Sequence, residues 1–150
     1  DFASWSPDGR QILFVSYTTN FRAELYLVNV DGSNAHRLLD LEPSSQWEPS
    51  WSPDGSKIAF FSREWNYTNF LFVVNADGSD LQNLSKGLNG KAYGAVWSGN
   101  SEQIAFFSSA DYVNASVYMI DLSRGNLGKI TKVPEPMNKY IASPNIFWIH

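Results

Sequence analysis

The sequence predicts an all-β fold of three four-stranded antiparallel sheets, and three observations carry this prediction. A period of 46 residues recurs along the chain, two kinds of turn return at fixed places in each period, and apolar strand-like segments separate the turns. Aromatic residues make up 15% of the 150 residues, which suits sheets that pack face to face through large flat side chains.

The period is visible in several columns of the sequence at once. Trp5, Trp51 and Trp97 are each 46 residues apart. The same offset relates Ser16, Ser62 and Ser108, then Tyr26, Phe72 and Tyr118, and finally Leu38, Leu84 and Ile130. Self-similarity at a fixed period of this size is typical of repeat architectures.

The second copy shows how each period divides into four strands, A to D. Strand A is predicted over 48–52 and ends in a Ser-Pro-Asp-Gly turn, where Pro pre-sets φ and Gly accepts the left-handed conformation. Strand B, over 57–62, is apolar on both faces. Strand C, over 71–75, ends in Asp-Gly-Ser, a strong hairpin signal, and strand D follows over 81–85.

A single sheet with two apolar faces needs a neighbour on each side, and stacking around an axis provides both. The sheets are therefore predicted to be blades of a β-propeller. A β-sandwich with coincidental Trp spacing is the alternative, but it leaves two recurring turns unexplained. Trp5, Trp51 and Trp97 are predicted to be packing residues, each costing about 3–5 kcal/mol on truncation.

The repeat resembles that of TolB-like propellers, which are WD-like repeats with a Pro-Asp motif. The resemblance lies in the segments WSPDGRQILFVS, WSPDGSKIAFFS, ELYLVNVDGSN and FLFVVNADGSD, and it covers residues 1 to about 132. It implies a propeller fold and, through TolB, a periplasmic or extracellular location. The same repeat occurs in propellers attached to prolyl-oligopeptidase-type and tricorn-type proteases, so the resemblance implies function only by association.

The third copy departs from the pattern at both turns. Ser98-Gly99-Asn100-Ser101 replaces Ser-Pro-Asp-Gly, which places Ser101 where Gly occupies the left-handed region, at a cost of about 1–2 kcal/mol. Ser123-Arg124-Gly125 moves the second glycine one place along. We therefore expect the third blade to be the least regular.

The copies are assigned to residues 1–46, 47–92 and 93–138, and 139–150 resembles a shortened start of a fourth. Propellers close with about 4–8 blades, so the ring is not expected to close within these residues. Either they are a fragment of a longer propeller, which we favour, or several chains complete one ring. Both readings leave apolar sheet surface uncovered and predict self-association.

The two ends of the sheets are predicted to differ in role. The A to B and C to D turns repeat their Pro-Asp-Gly and Asp-Gly-Ser chemistry, which indicates a structural face. The opposite face carries the B to C loops and D to A connections, where aromatic residues differ from copy to copy. The candidate partner-binding residues there are Tyr17, Phe21, Trp47, Trp65, Tyr67, Tyr93, Tyr112 and Tyr140.

Loops on a rigid scaffold often carry function, and exposed aromatic rings supply rigid contact area. The leading hypothesis is a non-catalytic scaffold that binds a protein or peptide partner through this aromatic loop face or the central channel. The alternatives are a substrate-gating propeller of a serine peptidase and a glycan-binding propeller. For any single ring, packing between blades under the loops is the competing interpretation.

Other chemistry has little support in the residues. The 11 Lys and Arg are scattered and the net charge is −4, which argues against nucleic acid, and no apolar run is long enough for a membrane span. His36 and His150 lie in no catalytic constellation, and there is no Cys. Asp-Gly-Ser lacks the further ligands of a calcium loop. We therefore expect no catalytic site, no cofactor and no metal.

Overall fold

The computed structural model describes residues 2–41, 45–63, 68–88, 90–110 and 115–124, and the backbone of 126–132. This part of the chain consists of strands joined by turns. The strands are β1 (Ala3–Trp5), β2 (Gln11–Tyr17), β3 (Ala23–Asn29), β4 (His36–Arg37), β5 (Ser45–Trp51), β6 (Lys57–Arg63), β7 (Asn69–Asn75), β8 (Gln82–Asn83), β9 (Lys91–Trp97), β10 (Gln103–Ser109), β11 (Ser116–Asp121) and β12 (Asn126–Lys132).

The strands form three four-stranded antiparallel sheets in chain order. Sheet 1 contains β1 to β4, sheet 2 contains β5 to β8, and sheet 3 contains β9 to β12. The predicted all-β fold of successive four-stranded sheets is confirmed. The limits at residues 46, 92 and 138 stay a prediction, and the fourth copy over 139–150 lies outside the described residues.

In the second copy, strands B and C occur where the sequence predicts them, and strands A and D differ in length. β5 begins at Ser45, earlier than predicted, and contains a register shift between Trp47 and Ser50. β8 is only two residues long, because the next pair of backbone hydrogen bonds between β7 and this segment is incomplete. The Leu84 N–H donates to Leu71 O (2.8 Å), and the Leu71 N–H donates to a side chain, Ser85 Oγ (2.9 Å), instead of a strand backbone.

Alternation along the strands gives each sheet two distinct faces. In sheet 1 the aromatic face carries Trp5, Ile12, Phe14, Tyr26 and Val28, which lie opposite one another in the register. The other side, the leucine face, carries Leu13, Val15, Leu25 and Leu27. The equivalent faces of sheets 2 and 3 lie 46 and 92 residues further along.

The core consists of two interfaces of the same design. The aromatic face of sheet 2 packs on the leucine face of sheet 1, which buries Ile58, Phe60 and Val74 completely. The aromatic face of sheet 3 packs on the leucine face of sheet 2, which buries Ile104 and Phe106 completely. At about 25 cal/mol per Å² of apolar surface removed from water, these interfaces are the main source of stability. Stacking against neighbours is confirmed as the principle of the fold.

The three repeat tryptophans occupy different environments. Trp97 is 8% exposed, and its Nε1 donates to Ser50 O of sheet 2 (3.3 Å). Trp51 is half-buried against the core shared with sheet 1, where its Nε1 has no hydrogen-bond partner among the described residues. Trp5 is 62% exposed, so among the described residues it does not pack as Trp51 and Trp97 do, and its role as a packing residue stays a prediction. Its side of sheet 1 is covered by no other sheet of the described residues.

The third sheet is the least regular of the three, as expected. Its ladder shifts register between β9 and β10 and again between β11 and β12, while sheet 2 has one described shift and sheet 1 has none. Sheet 3 nevertheless has the longest outer strand, since β12 spans seven residues where β4 and β8 span two.

Candidate partner-binding face

The turns at one end of the sheets form a repeated hydrogen-bond network. In the first copy the Ser6 hydroxyl donates to Asp8 Oδ1 (2.6 Å), and the Gly9 N–H donates to Ser6 O at a φ of 70°. The hydroxyl of Ser6, followed by the N–H of Arg10, lowers the pKa of Asp8. The Val30 N–H then donates to Arg10 O (3.0 Å), which joins the A to B turn to the C to D turn. The polar groups of these turns therefore bind one another and stabilise this end of the sheet.

The altered turn of the third copy keeps the same geometry. Ser101 has a φ of 62°, in the left-handed region where the other copies have glycine. Asn100 replaces the aspartate and accepts the Ser98 hydroxyl (2.7 Å). Ser101 Oγ also accepts the N–H of Asp54 from sheet 2 (3.1 Å). The strained serine therefore ties two neighbouring sheets together, an interaction that glycine cannot make.

The opposite end of sheet 1 presents two aromatic rings to solvent. Tyr17 ends β2 and is 59% exposed, and Phe21 in the following loop is 89% exposed. Phe21 adopts a φ of 57°, which is an outlier for a bulky residue. The loop is nevertheless closed, because the Phe21 N–H donates to Thr18 O and the Thr18 N–H donates to Arg22 O, both at 2.9 Å. The loop therefore keeps the Phe21 ring exposed although the backbone of Phe21 is strained.

Trp47 and Tyr93 are equivalent residues that lie within strands, not in connections as the sequence indicated. Trp47 in β5 is partly buried against the core of sheets 2 and 3, with the Arg63 guanidinium 5.4 Å from its ring centroid. Tyr93 in β9 stacks on Phe107 with centroids 5.6 Å apart. Both rings take part in packing, which is the competing interpretation raised above. Their role as partner contacts stays a prediction.

Four of the candidate partner-binding residues lie outside the described residues: Trp65, Tyr67, Tyr112 and Tyr140. In the part of the chain that is described, Tyr17 and Phe21 therefore lie at one loop of sheet 1, and Trp47 and Tyr93 lie in the first strands of sheets 2 and 3.

Sequence reasoning missed one residue at this end, Glu48. It is exposed, follows Trp47, and has a φ of 48° at the register shift of β5. β-Bulges of this kind re-aim side chains and are frequent beside functional sites. The sequence contained a signal for this bulge, because the equivalent residue of the third copy is a glycine, Gly94. Gly94 also adopts a positive φ, of 61°.

The described residues contain no group of three or more His, Asp or Glu side chains that could hold a metal ion. His36 lies on the outer strand β4, and its Nδ1 is 2.8 Å from Asn34 O in its own turn. No helix in the described part of the chain has the length and apolar character needed to cross a membrane.

These features define a class of protein, a β-propeller whose blades are sheets 1 to 3. A family model described as the TolB beta propeller domain matches residues 2–146. The chain therefore belongs to the TolB β-propeller family, which confirms the resemblance read from the sequence.

Solved structures agree with this fold. The putative TolB from Agrobacterium tumefaciens superimposes with a TM-score of 0.70 at 23% identity, covering 86% of this chain and 48% of that one. The propeller domain of the Trilobed protease from Pyrococcus furiosus gives a TM-score of 0.64 at 16% identity, covering 84% and 40%. A chain of the nidogen/laminin complex gives 0.64 at 11% identity, covering 87% and 47%.

These identities are low, so the likenesses establish the fold alone. The chain spans less than half the length of each of these structures. Comparison with curated proteins gives no match.

Proposed function

We propose that this propeller segment is a non-catalytic scaffold that binds a protein or peptide partner through its aromatic loop face, with Phe21 as an anchor. The observation that carries the proposal is the combination of an exposed ring, 89% accessible, with a left-handed backbone. A left-handed conformation costs about 1–2 kcal/mol for a residue other than glycine. Local strain that a fold maintains is a recognised mark of functional sites.

The surroundings of Phe21 suit a contact surface. Tyr17 adds a second accessible ring at the end of β2, and the loop between them is closed by backbone hydrogen bonds. A closed loop loses little conformational freedom on binding, so its ring can contribute more of its contact energy to affinity. Aromatic anchors of this type commonly dominate protein interfaces.

The same proposal includes the equivalent loops of the other copies and the central channel. Trp65, Tyr67 and Tyr112 lie in the second and third B to C loops by sequence. Glu48, on the first strand of sheet 2, adds an exposed carboxylate that would orient a basic partner group. A periplasmic or extracellular location, as the TolB resemblance implies, belongs to this proposal.

The alternatives from the sequence stay predictions. A gating propeller of a serine peptidase and a glycan-binding propeller use the same scaffold, and the likeness to a protease propeller supports that scaffold without choosing between them. Selection with peptides and with an oligosaccharide panel under the same conditions would separate these functions.

The test uses a phage-displayed library of random twelve-residue peptides selected on the immobilised protein. We expect selected peptides, once synthesised, to bind Phe21→Asn about 30-fold more weakly, which corresponds to a hot spot of about 2 kcal/mol. Asparagine tolerates the left-handed region, so this variant keeps the turn and its unfolding free energy stays unchanged or rises by up to about 1 kcal/mol.

Val30→Ala is the matched control, because Val30 is 50% exposed in a turn at the opposite end of sheet 1. Its peptide affinity should equal that of the wild type. Failure to select any peptide, or peptides that bind Phe21→Asn as tightly as the wild type, would contradict the proposal.

A further inference from the structure

The last residues of the B strands occupy equivalent places at the loop end of the three sheets. They are Tyr17 in β2, Arg63 in β6 and Ser109 in β10, each 46 residues from the next. Tyr17 and Arg63 are exposed, whereas Ser109 is 2% exposed. The place that carries an accessible ring in sheet 1 therefore carries an accessible cation in sheet 2.

Two neighbouring side chains hold the side chain of Arg63. Its guanidinium carbon lies 5.4 Å from the centroid of the Trp47 ring, and its Nε donates to Asn69 Oδ1 (3.3 Å). Trp47 packs on the core shared by sheets 2 and 3, and Asn69 is 8% exposed. Sheet 2 lies between two described sheets, so this arrangement does not depend on a further blade. An exposed arginine is thus anchored on two packed side chains.

An anchored guanidinium is suited to binding a carboxylate. Its planar fork of N–H donors matches the two oxygens of a carboxylate group. An arginine loses much rotamer freedom when a partner orders it, and here Trp47 and Asn69 remove part of that freedom before the partner binds. Arginine and tryptophan are also among the residues most enriched at the hot spots of protein interfaces.

We propose that Arg63 binds an acidic side chain, Asp or Glu, of the protein or peptide partner through the fork of its guanidinium. Arg63 is the charged contact, and Trp47 and Asn69 are positioning residues that orient it. This inference rests on the proposed function, because it names the charge that the same partner presents to sheet 2, one sheet along from the ring of Phe21.

Synthetic peptides selected on the wild-type protein test the charge directly. They are made with a C-terminal amide, so that Asp and Glu side chains are their only carboxylates. We expect these peptides to contain Asp or Glu and to bind Arg63→Gln about 10-fold more weakly, because a charge-assisted pair is lost. Arg10→Gln is the matched control, since the Arg10 side chain is 85% exposed in a turn at the opposite end of sheet 1. Its peptide affinity should equal that of the wild type.

A double-mutant cycle shows whether Arg63 meets that carboxylate. Replacing the acidic residue of the peptide by its amide should weaken binding to the wild type about 10-fold and to Arg63→Gln less than about 2-fold. Arg63→Lys should bind the acidic peptide about 5-fold more weakly than the wild type, because lysine keeps the charge without the planar fork. Asn69→Ala, which removes the acceptor for Nε, should weaken binding of the acidic peptide about 3-fold and leave that of its amide version unchanged.

The outcomes separate this inference from the proposed function. Peptides that lose affinity with Phe21→Asn but bind Arg63→Gln as tightly as the wild type would overturn the role of Arg63 and leave the role of Phe21 standing. Peptides that depend on Arg63 and not on Phe21 would have the opposite meaning. An Arg63→Lys variant that binds as tightly as the wild type would overturn the forked contact, and selection of no peptide would overturn both proposals.

Discussion

Sheets 1 and 2 differ little in sequence pattern and greatly in environment. β2 and β6 share the same outline of apolar residues on both sides, yet only Leu13 is buried in β2, whereas five consecutive residues are buried in β6. Sheet 2 lies between two neighbours, and sheet 1 has a described neighbour on one side only. The comparison shows that burial in a repeat fold is a property of the stack and cannot be read from one repeat.

The largest expected effect of this difference concerns the repeat tryptophans. Trp97→Ala should lower the unfolding free energy by about 3–5 kcal/mol, because it removes a buried ring and its hydrogen bond to Ser50 O. Trp5→Ala should cost about 1 kcal/mol or less, since the ring is 62% exposed. Urea denaturation of both variants, at a concentration where they are monomeric, measures the difference. Equal losses would show that Trp5 is covered in solution.

A pair of equivalent glycines sharpens the same comparison. Gly32 and Gly78 both have φ near 80° (82° and 84°), but a Cβ on Gly78 would lie 2.8 Å from Leu38 O of sheet 1, while nothing lies within 4 Å at Gly32. Gly32→Ala should cost about 1–2 kcal/mol for the backbone alone. Gly78→Ala should cost about 1–3 kcal/mol more, because sheet 1 has to move. Thermal denaturation of both variants checks this, and equal midpoints would mean that the turns are not in contact.

A smaller effect is expected at Ser101, where a strained backbone lowers the stability and a hydrogen bond between sheets 2 and 3 raises it. Ser101→Ala keeps the left-handed strain and removes the acceptor for the Asp54 N–H, so it should destabilise by about 1 kcal/mol. Ser101→Gly removes both and should be close to neutral. The unfolding free energies of the two variants should therefore differ by about 1 kcal/mol. If alanine is as stable as serine, the hydrogen bond between the sheets contributes nothing, and if alanine is as stable as glycine, the left-handed strain contributes nothing.

The smallest effect is a dependence on pH at the turn of sheet 2. Burial raises the pKa of Asp54, but the hydrogen bonds of the Ser52 hydroxyl and of Ser56 and Ser101 together lower it below its ordinary 3.8. A lowered pKa in the folded state stabilises the fold above the unfolded value, and this contribution is lost as the pH falls through the folded pKa. Asp54→Asn should therefore lose less stability than the wild type between about pH 5 and pH 3.

The asparagine variant should retain its fold, because Asn100 serves in the same turn of sheet 3. Chemical denaturation across this pH range measures the effect. An unchanged acid dependence in Asp54→Asn would mean that Asp54 does not contribute to it.

Much of the fold could be predicted from the sequence because the signals are local and repeated. The Ser-Pro-Asp-Gly turn sets its own geometry through the hydroxyl, the carboxylate and a left-handed glycine. The third copy keeps this geometry although Ser101 replaces the glycine. The shortness of β4 and β8 could not be predicted, since it depends on side chains that complete the ladder from elsewhere. The exposure of Trp5 could not be predicted either, because it depends on a neighbouring sheet.

The candidate site was predicted less well than the fold. Tyr17 and Phe21 lie exposed at the expected end, but Trp47 and Tyr93 lie in strands that begin earlier than their patterns indicated. Exposure of an aromatic ring depends on the bulge and register of its strand, which a single sequence specifies weakly. The positive φ of Phe21 had no sequence signal, since phenylalanine is a residue that rarely adopts it.

The amide of Leu25 illustrates a limit on shuffling the repeats. Leu71 N–H is satisfied within its own sheet by Ser85, but sheet 1 has Leu39 at the equivalent place, and Leu25 N–H donates instead to Gln46 Oε1 of sheet 2 (3.2 Å). If residues 46–91 were deleted, Ala92 would take the place of Gln46, and a buried amide would lose its acceptor. The similar copies are therefore not interchangeable, because sheet 1 depends on a glutamine that sheet 2 supplies and sheet 3 lacks.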